Sequence, residues 1–297
     1  MKPYINEKNI SKPRIVLSKC FLKAVRYDGG RVYDDFVDKL INFVEVIEVC
    51  PEVGMGLTVP RERLIIKLEG NSKRLFQPDT GKDFTEAIQK FSQEFLKMLS
   101  EIDGFLLKAK SPSCGVSSTK LYKEDKVIKK TSGFFAAFAK KAYPYLPIED
   151  ELGLKDTLKR WHFLIRIFAF SKLRNMLKRQ DSKALEEFHT EYKYLLLTFN
   201  QKQTKELEKL VKRRDLSLEE KNSLYGVKFY KAFLRKPSSK NFIKALRFFH
   251  SSFFKKLKQK EIEQLQEVIK RFEEERLPLK VLFEELRKIV YSWESSS

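Results

Sequence analysis

The chain has 297 residues, 42% of them hydrophobic and 34% charged, and it carries 60 Lys and Arg against 40 Asp and Glu, for a net charge of +20. No apolar run approaches the roughly 18 residues of a membrane-spanning helix, so the composition excludes integral membrane proteins and is typical of a globular, soluble protein with room for two domains. Neither a Walker loop nor a Gly-x-Gly-x-x-Gly loop is present, so nucleotide hydrolysis and hydride transfer find no support.

The N-terminal residues, Met1 to Pro13, lack the apolar stretch of a signal peptide. The chain has three cysteines, an odd number that argues against a disulfide framework. We therefore expect a cytoplasmic protein with no membrane association and no obligate protein partner.

The first half of the chain alternates between short β-rich runs and helical patterns. Strands are predicted at Arg14–Leu17, Val44–Val49, Arg63–Leu68 and Gly104–Lys108, and helices at Asp34–Phe43 and Phe84–Leu99. The alternation predicts an α/β domain with a mainly parallel sheet between two layers of helices. In such sheets the loops at the carboxyl ends of the strands form the site.

The second half shows helical periodicity and almost no strand signal. Apolar residues recur at helical spacing in the series Leu158-Trp161-Ile165-Phe168, Leu185-Phe188-Tyr192-Leu195, Leu224-Phe229-Phe233 and Leu265-Ile269-Phe272. Ser217 and Glu220 form a capping-box pattern. We predict an all-α domain of about six helices. The expected domains are residues 1–148 and 149–297.

All three cysteines lie in short motifs, which are Ser18-Lys19-Cys20, Cys50-Pro51-Glu52 and Ser111-Pro112-Ser113-Cys114-Gly115. Each motif follows a predicted strand, so we expect the thiols to converge on one edge of the sheet. Three thiolates can hold three irons of a four-iron cluster and leave one iron open to substrate. The alternative is three unrelated thiols in a reduced protein, and the spacing matches no local zinc signature.

Further motifs accompany the cysteines in order. They are Val25-Arg26-Tyr27-Asp28-Gly29-Gly30, Gly56-Leu57-Thr58-Val59-Pro60-Arg61 and Phe105-Leu106-Leu107-Lys108. Together with the cysteine motifs, these segments resemble the TudS-type thiouracil desulfidase family over residues 13–145. The resemblance implies a [4Fe-4S] cluster with Cys20, Cys50 and Cys114 as its ligands.

The helical half carries a second resemblance. The run Glu187-Phe188-His189-Thr190-Glu191-Tyr192-Lys193-Tyr194-Leu195-Leu196-Leu197 is similar to the signature helix of YbgA-like domains. Leu146-Pro147-Ile148-Glu149-Asp150 resembles the joint between the domains of fused proteins. The fused arrangement is similar to RudS-type proteins, which act on 4-thiouridine in transfer RNA. This resemblance implies that the helical domain binds RNA.

Two catalytic residues are predicted beside the cysteines. Glu52 lies two residues from Cys50, where its carboxylate could activate water as a general base. Its alternative role is a helix cap or a salt-bridge partner of Arg61 or Arg63. Ser111 could donate to the pyrimidine or relay a proton, or it could only cap backbone groups of the Ser-Pro turn.

Arg26, Asp28 and Ser113 are predicted to bind substrate. Arg26 and Asp28 follow Cys20 closely enough to line a pocket, and the guanidinium suits a phosphate or a base edge. Ser113 supplies a hydroxyl next to Cys114. The alternative for the first two is a plain turn, because Gly29 and Gly30 follow them.

The charge is concentrated in the helical half. Residues 1–150 have a net charge of +6, whereas residues 151–260 have +17, which favours RNA or DNA as partner. Basic and aromatic residues interleave there, a pattern that can pair phosphates and stack bases. The alternatives are a lysine-rich surface without a ligand and phenylalanines that build the core. The predicted RNA-binding residues are Lys159, Arg160, Arg247, Lys255 and Lys256.

The sequence therefore favours an iron–sulfur enzyme that replaces the sulfur of 4-thiouridine in transfer RNA by oxygen, with sulfide released and no net electron transfer. A second hypothesis is a desulfidase of free thiouracil or thionucleotides. A third is an RNA-binding protein whose cysteines hold a structural cluster or zinc.

Overall fold

The computed structural model describes residues 11–179, 181–238, 240–245, 259–274, 281–282, 284–285 and 288. The chain divides into two compact units, Met1–Asn175 and Met176–Ser297. Within the described ranges, no helix combines the length and the apolarity needed to cross a bilayer.

The first unit is built from strands and short helices. Its strands are β1 (Arg14–Ser18), β2 (Glu45–Val49), β3 (Ile65–Glu69), β4 (Ser72–Gln77), β5 (Lys82–Asp83), β6 (Gly104–Leu107), β7 (Thr119–Lys123), β8 (Lys126–Thr131) and β9 (Ile148–Asp150). Its helices are α1 (Asp35–Leu40), α2 (Pro51–Gly54), α3 (Thr85–Met98) and α4 (Phe134–Ala142), followed by the start of α5 (Thr157–Leu177).

Strands β2, β1, β6 and β9 form, in that order, a sheet whose neighbouring strands are all parallel. Successive residues of β1 point to opposite faces, and Ile15, Val16 and Leu17 are fully buried, so both faces are covered. Ile15 and Leu17 pack with residues of α1 and α5, whereas Val16 packs with residues of α3 and α4. This confirms the predicted three-layer α/β arrangement.

Strands β5, β4, β3, β7 and β8 form a second sheet, which we did not predict. Its neighbouring strands are antiparallel except for β3 with β7. The predicted strand Arg63–Leu68 corresponds to β3, so it lies in this sheet and not in the parallel one. The reason is the hairpin that β3 makes with β4, whose Leu75 packs with Ile66 in a separate apolar cluster.

The described residues of the second unit form helices and the turns between them, with no strand among them, which confirms the predicted all-α region. It contains α6 (Ser182–Phe199), α7 (Gln201–Lys212), α8 (Leu218–Ala232) and α9 (Gln259–Glu273). The capping box of Ser217 and Glu220 begins α8, as predicted. Aromatic rings of α6 and α8 pack together in its core, with Phe188 and Phe229 centroids 5.1 Å apart.

The compact units divide between Asn175 and Met176, later in the chain than the predicted domain boundary at residue 148. The cause is the first part of α5. Phe163 and Ile167 are buried in the same cluster as Ile15 and Leu17, so this part of the helix completes the core of the first unit.

Candidate functional site

The three cysteines lie at the ends of three neighbouring parallel strands. Cys20 is in a turn of 3-10 helix, Lys19–Phe21, directly after β1, and Cys50 directly follows β2 as the N-cap of α2. Cys114 lies in the loop after β6. Because β1 is hydrogen-bonded to both β2 and β6, the carboxyl ends of these strands share one edge of the sheet. All three thiols are free.

The thiols are close enough to affect one another's charge. Burial, together with the proximity of Cys50, raises the pKa of Cys20 to about 12, while the positive charge of Lys108 opposes the shift. Burial also raises the pKa of Cys50. The pKa of Cys114 lies well above its ordinary value because this thiol is fully buried, and charges on Cys20 and Cys50 would raise it further. The three sulfur atoms thus form one electrostatic cluster.

The loop that carries Cys114 is held by its own hydroxyls and by a glycine. Ser111 Oγ accepts hydrogen bonds from the backbone N–H groups of Ser113 at 3.2 Å and Cys114 at 3.1 Å. Gly133, just before α4, donates its N–H to Gly115 O at 2.8 Å. A Cβ atom at Gly133 would lie 2.5 Å from the carbonyl of Ser113, so only glycine fits against this loop.

Glu52 is the carboxylate of the site. It is 9% exposed, and its two oxygens have different partners. Oε2 accepts from Arg61 Nε at 2.9 Å and from Arg61 Nη2 at 2.6 Å. Oε1 accepts from Ser113 Oγ at 3.0 Å and faces Ser111 Oγ at 3.5 Å, the outer limit of a hydrogen bond. Arg61 therefore fixes one oxygen of the carboxylate, and the other faces the hydroxyls of the Cys114 loop.

Glu52 and the two serines are thus brought together beside the cysteines. Its predicted alternative, a salt bridge with Arg61, is also present, and the two roles are compatible because they use different oxygens. Likewise, Ser111 both caps backbone groups and faces the carboxylate.

Arg61 joins the site to the segment after Cys20. Its side chain is only 5% exposed, and besides Glu52 it donates to Val25 O at 3.2 Å. Its backbone N–H donates to Tyr27 O at 2.8 Å. The sequence identified Arg61 only as an alternative salt-bridge partner of Glu52. Arg61 also belongs to one of the motifs that carry the family resemblance, and this position was the sequence signal that it helps to build the site.

Arg26 and Asp28 are paired with each other. Arg26 Nη2 lies 2.9 Å from Asp28 Oδ2, and the side chains are 35% and 41% exposed. Asp28 Oδ1 also accepts from the N–H of Gly30 at 3.0 Å. In the described structure these hydrogen bonds stay within the turn and reach neither Glu52 nor a cysteine. The turn is linked to the site through Tyr27 O and Arg61.

Lys108 and Glu151 are site residues that we did not predict. Lys108 directly follows β6, and its Nζ lies 2.7 Å from Glu151 Oε1. Glu151 Oε2 accepts from the N–H of Ala109 at 2.6 Å. Lys108 also donates its N–H to Ser18 Oγ at 2.9 Å. A lysine directly after an apolar strand, one strand away from Cys20, was a readable signal, whereas the Glu151 contact depends on the tertiary fold.

The thiols do not have the spacing of ligands to a single ion. Across the described residues, no group of three His, Cys, Asp or Glu side chains is placed to hold one metal ion. An iron–sulfur cluster makes a different demand, because each thiolate binds a different iron and inorganic sulfide separates the irons. Three thiols from three strand ends, with Cys20 and Cys114 buried and Cys50 partly buried, fit a cluster better than they fit zinc.

Two of the five predicted RNA-binding residues lie in the described part of the chain. Lys159 and Arg160 lie in the first turns of α5, within the first unit. Arg160 donates from Nε to Leu154 O at 2.7 Å, and its guanidinium lies 4.7 Å from the ring centroid of Phe36. Its side chain therefore serves packing in this unit. The remaining three, Arg247, Lys255 and Lys256, lie outside the described residues.

Comparisons with known proteins match two different families to two separate parts of the chain. Residues 15–151 match the family described as 2-thiouracil desulfurase, and residues 193–297 match a family described as protein of unknown function DUF1722. The protein YbbK of Bacillus subtilis (strain 168), which carries the description uncharacterized, is 31% identical over 139 residues, spanning 43% of this chain and 89% of YbbK.

A solved structure described as the [4Fe-4S]-dependent thiouracil desulfidase TudS aligns with 49% of this chain and 95% of its own, at 25% identity and a TM-score of 0.40. The family match falls on the unit that contains the three cysteines, Glu52 and Ser111. Through this unit, the chain belongs to the 2-thiouracil desulfurase family.

Proposed function

We propose that the first unit is an iron–sulfur-dependent desulfidase that replaces the sulfur of a thiolated pyrimidine by oxygen, and that its substrate is 4-thiouridine in transfer RNA. The observation that carries the proposal is the cluster of three thiols at adjacent strand ends, two of them buried and Cys50 partly buried, with one carboxylate oxygen and two serine hydroxyls beside it. The net reaction consumes water and releases hydrogen sulfide, and no electrons are transferred.

Cys20, Cys50 and Cys114 would hold a [4Fe-4S] cluster in this proposal. When bound, the cluster supplies a thiophilic Lewis acid at the iron that has no protein ligand. Three cysteines suit this role, because a fourth thiolate would close the site to substrate, and the sequence contains no further cysteine.

The protein side chains handle the water and the protons. Glu52 Oε1 accepts a proton from the water that attacks the carbon of the C=S bond, while Arg61 keeps the carboxylate aimed at the site from its other oxygen. Ser111 Oγ, on the same side of Glu52, passes a proton toward the departing sulfur. Ser113 Oγ, fully buried, orients the carboxylate through its 3.0 Å hydrogen bond.

The net positive charge of the chain supports a polyanionic substrate such as transfer RNA. The chain has a net charge of +20, and residues 151–260 contribute +17. A field of this size on one part of a chain attracts nucleic acid through phosphate contacts and counterion release.

The test is anaerobic incubation of the reconstituted full chain with thiolated transfer RNA, free 4-thiouracil and free 2-thiouracil, following loss of the thiocarbonyl absorption. We expect the enzyme to desulfurate thiolated transfer RNA with a kcat/KM at least tenfold above that for either free base. Sulfide and the oxo-pyrimidine should appear in equal amounts without added reductant. A requirement for reductant would contradict the hydrolytic reaction.

The description of the matched family favours a second candidate, desulfidation of free 2-thiouracil. A higher kcat/KM for the free base than for transfer RNA would select it. Binding of RNA without turnover of any thiocarbonyl would instead select a non-catalytic RNA-binding protein.

A further inference from the structure

The hairpin of β7 and β8 carries an unusual concentration of lysines. Lys120, Lys123, Lys126, Lys129 and Lys130 are all exposed, and they lie within one hairpin at the edge of the second sheet. In the register of this hairpin Lys120 lies directly opposite Lys130, and Lys123 lies directly opposite Lys126. Like charges directly opposite each other on a sheet destabilise it.

These lysines are not neutralised by ion pairs with described residues. Among the described residues, none of these five lysines makes an ion pair with an aspartate or glutamate, although Glu124 and Asp125 form the turn of the same hairpin. Lysines on an edge strand can prevent edge-to-edge aggregation. That role would be met by β8 alone, and it does not explain why the inner strand β7 places Lys120 and Lys123 opposite the lysines of β8.

The hairpin starts and ends at the site. β7 begins at Thr119, whose Oγ1 donates to Ser111 O at 2.7 Å. β8 ends at Thr131, two residues before Gly133, which is hydrogen-bonded to Gly115. Lys140 of α4 extends the positive surface toward this loop, because its Nζ lies 3.2 Å from Ser117 Oγ. The lysine-bearing hairpin is therefore joined at both ends to the loop that carries Cys114.

We propose that this hairpin binds the phosphate backbone of RNA and holds it against the site of the first unit. The inference rests on the proposed function, and it deepens that function by placing an RNA contact on the catalytic unit itself. Phosphates between the paired lysines would relieve the repulsion within each pair and release counterions on binding. A strand of five residues reaches about 16 Å from the Cys114 loop, the length of several nucleotides.

The test compares two full-length variants of equal charge. In the hairpin variant, Lys120, Lys123, Lys126 and Lys130 are all changed to Gln. The control changes Lys39, Lys82, Lys90 and Lys97 to Gln, which are also exposed lysines of the first unit and make no ion pair with a described residue. Affinity for labelled transfer RNA is measured by fluorescence anisotropy at several salt concentrations, and free thiouracil turnover and the melting temperature are measured alongside.

We expect the hairpin variant to bind transfer RNA at least tenfold more weakly than the control. Its slope of log affinity against log salt should be shallower by about 0.7 to 0.9 for each phosphate that the hairpin no longer neutralises. Free thiouracil turnover should be unchanged, and the melting temperature should be equal or higher because the like-charge pairs are gone.

Equal RNA affinity and equal salt slopes for the two variants would overturn the proposal. So would selective loss of binding to vesicles of anionic lipid with RNA binding intact, which would assign the hairpin to a membrane surface. The binding measurement does not depend on turnover. If the chain removed sulfur from none of the substrates, the proposed function would be wrong, but the binding data would still show whether the hairpin contacts RNA.

Discussion

Cys20, Cys50 and Cys114 are thiols in an environment that disfavours their charged form. Burial raises the pKa of each of them, and each further thiolate in the cluster adds to the cost of ionisation. Metal binding requires the thiolates, so a cationic iron centre at this site would provide the positive charge that favours their ionised form.

We expect Cys20→Ser, Cys50→Ser and Cys114→Ser each to lose the cluster, because none of the three has a substitute in the chain. The wild-type chain, purified without oxygen, should contain about four irons and four sulfides. Iron and sulfide analysis and the visible absorption spectrum check this. A full complement of zinc in the wild type, or an intact cluster in any variant, would contradict the ligand assignment.

The Glu52→Gln variant distinguishes a catalytic role of the Glu52 carboxylate from a purely structural role. If Glu52 activates water, the variant should retain its cluster and substrate affinity while kcat falls by roughly 10²-fold or more. The buried Arg61 loses its counter-charge, so the free energy of unfolding should also fall by about 3 kcal/mol. The control is Glu62→Gln at the exposed neighbouring glutamate. Equal losses of affinity and rate would indicate that Glu52 only supports the structure.

His189 makes the helical unit sensitive to acid. It is 5% exposed, its Nδ1 lies 3.1 Å from Tyr225 Oη, and burial lowers its pKa. The nearby charges are Glu208, which opposes this shift, and Lys193 and Lys212, which add to it. Because the unfolded chain binds this proton more readily, the stabilisation is complete above about pH 6.5 and is lost as the pH falls below that value.

We therefore expect the urea midpoint of unfolding of the full chain to fall between pH 7 and pH 5. The fall should be smaller in His189→Gln, while His162→Gln, at a partly exposed histidine of the first unit, should retain it. An unchanged pH dependence in His189→Gln would contradict this assignment.

At the scale of elements, α4 and the Cys114 loop depend on one close backbone contact. The N–H of Phe134 donates to Pro112 O at 3.0 Å, and the N–H of Ala136 donates to Ser113 O at 3.2 Å. The start of the helix thus packs directly on the loop, and Gly133 is the residue that permits this approach. The position of Cys114, the third predicted ligand, therefore depends on how α4 begins.

Gly133→Ala should therefore damage the site without touching any predicted ligand. The new Cβ would lie 2.5 Å from backbone atoms of Ser113 and 2.9 Å from Cys114 N, so the loop must move. We expect cluster content to fall by at least half, measured as iron per chain. Gly226→Ala is the control, because its Cβ would make only a 3.5 Å contact with Leu177. Full iron content in Gly133→Ala would show that the loop tolerates the shift.

The elements that position the cysteines were predictable, because β1 and β6 contain apolar runs and β2 consists of valine and isoleucine apart from Glu45 and Glu48. The second sheet was missed because its strands are short and polar, as in β8, where five of six residues are exposed. Strand β9 has three residues and no readable period. The tertiary fold determines which oxygen of Glu52 accepts hydrogen bonds from Arg61, and no sequence pattern encodes this choice.

At the scale of the whole molecule, the two units are joined by a helix whose first part belongs to the core of the first unit. Leu154, just before α5, and Phe163 and Ile167 within it are each no more than 1% exposed. Burying three such side chains contributes roughly 5 to 9 kcal/mol, about the whole stability of a typical domain. We therefore expect the first unit to need residues beyond the matched family region, which ends at residue 151, in order to fold.

We expect a fragment of residues 1–177 to fold cooperatively and to turn over free thiouracil, and a fragment of residues 1–148 to be largely unfolded. Circular dichroism, thermal melting and iron content would distinguish them. The longer fragment should act on transfer RNA much more weakly than the full chain, if the second unit binds RNA. A well-folded shorter fragment would contradict the assignment of α5 to the first core.

The three cysteines are separated by long stretches of chain, yet they meet at one sheet edge because their strands are neighbours. No short peptide of this protein contains the site, in contrast to zinc fingers, whose ligands are local and whose metal drives folding. Of the three cysteines, Cys114 is the last to be synthesised. It can lie beside Cys20 and Cys50 only once β6 has paired with β1. From this topology we expect the polypeptide to fold first and the proposed cluster to bind afterwards to the folded site.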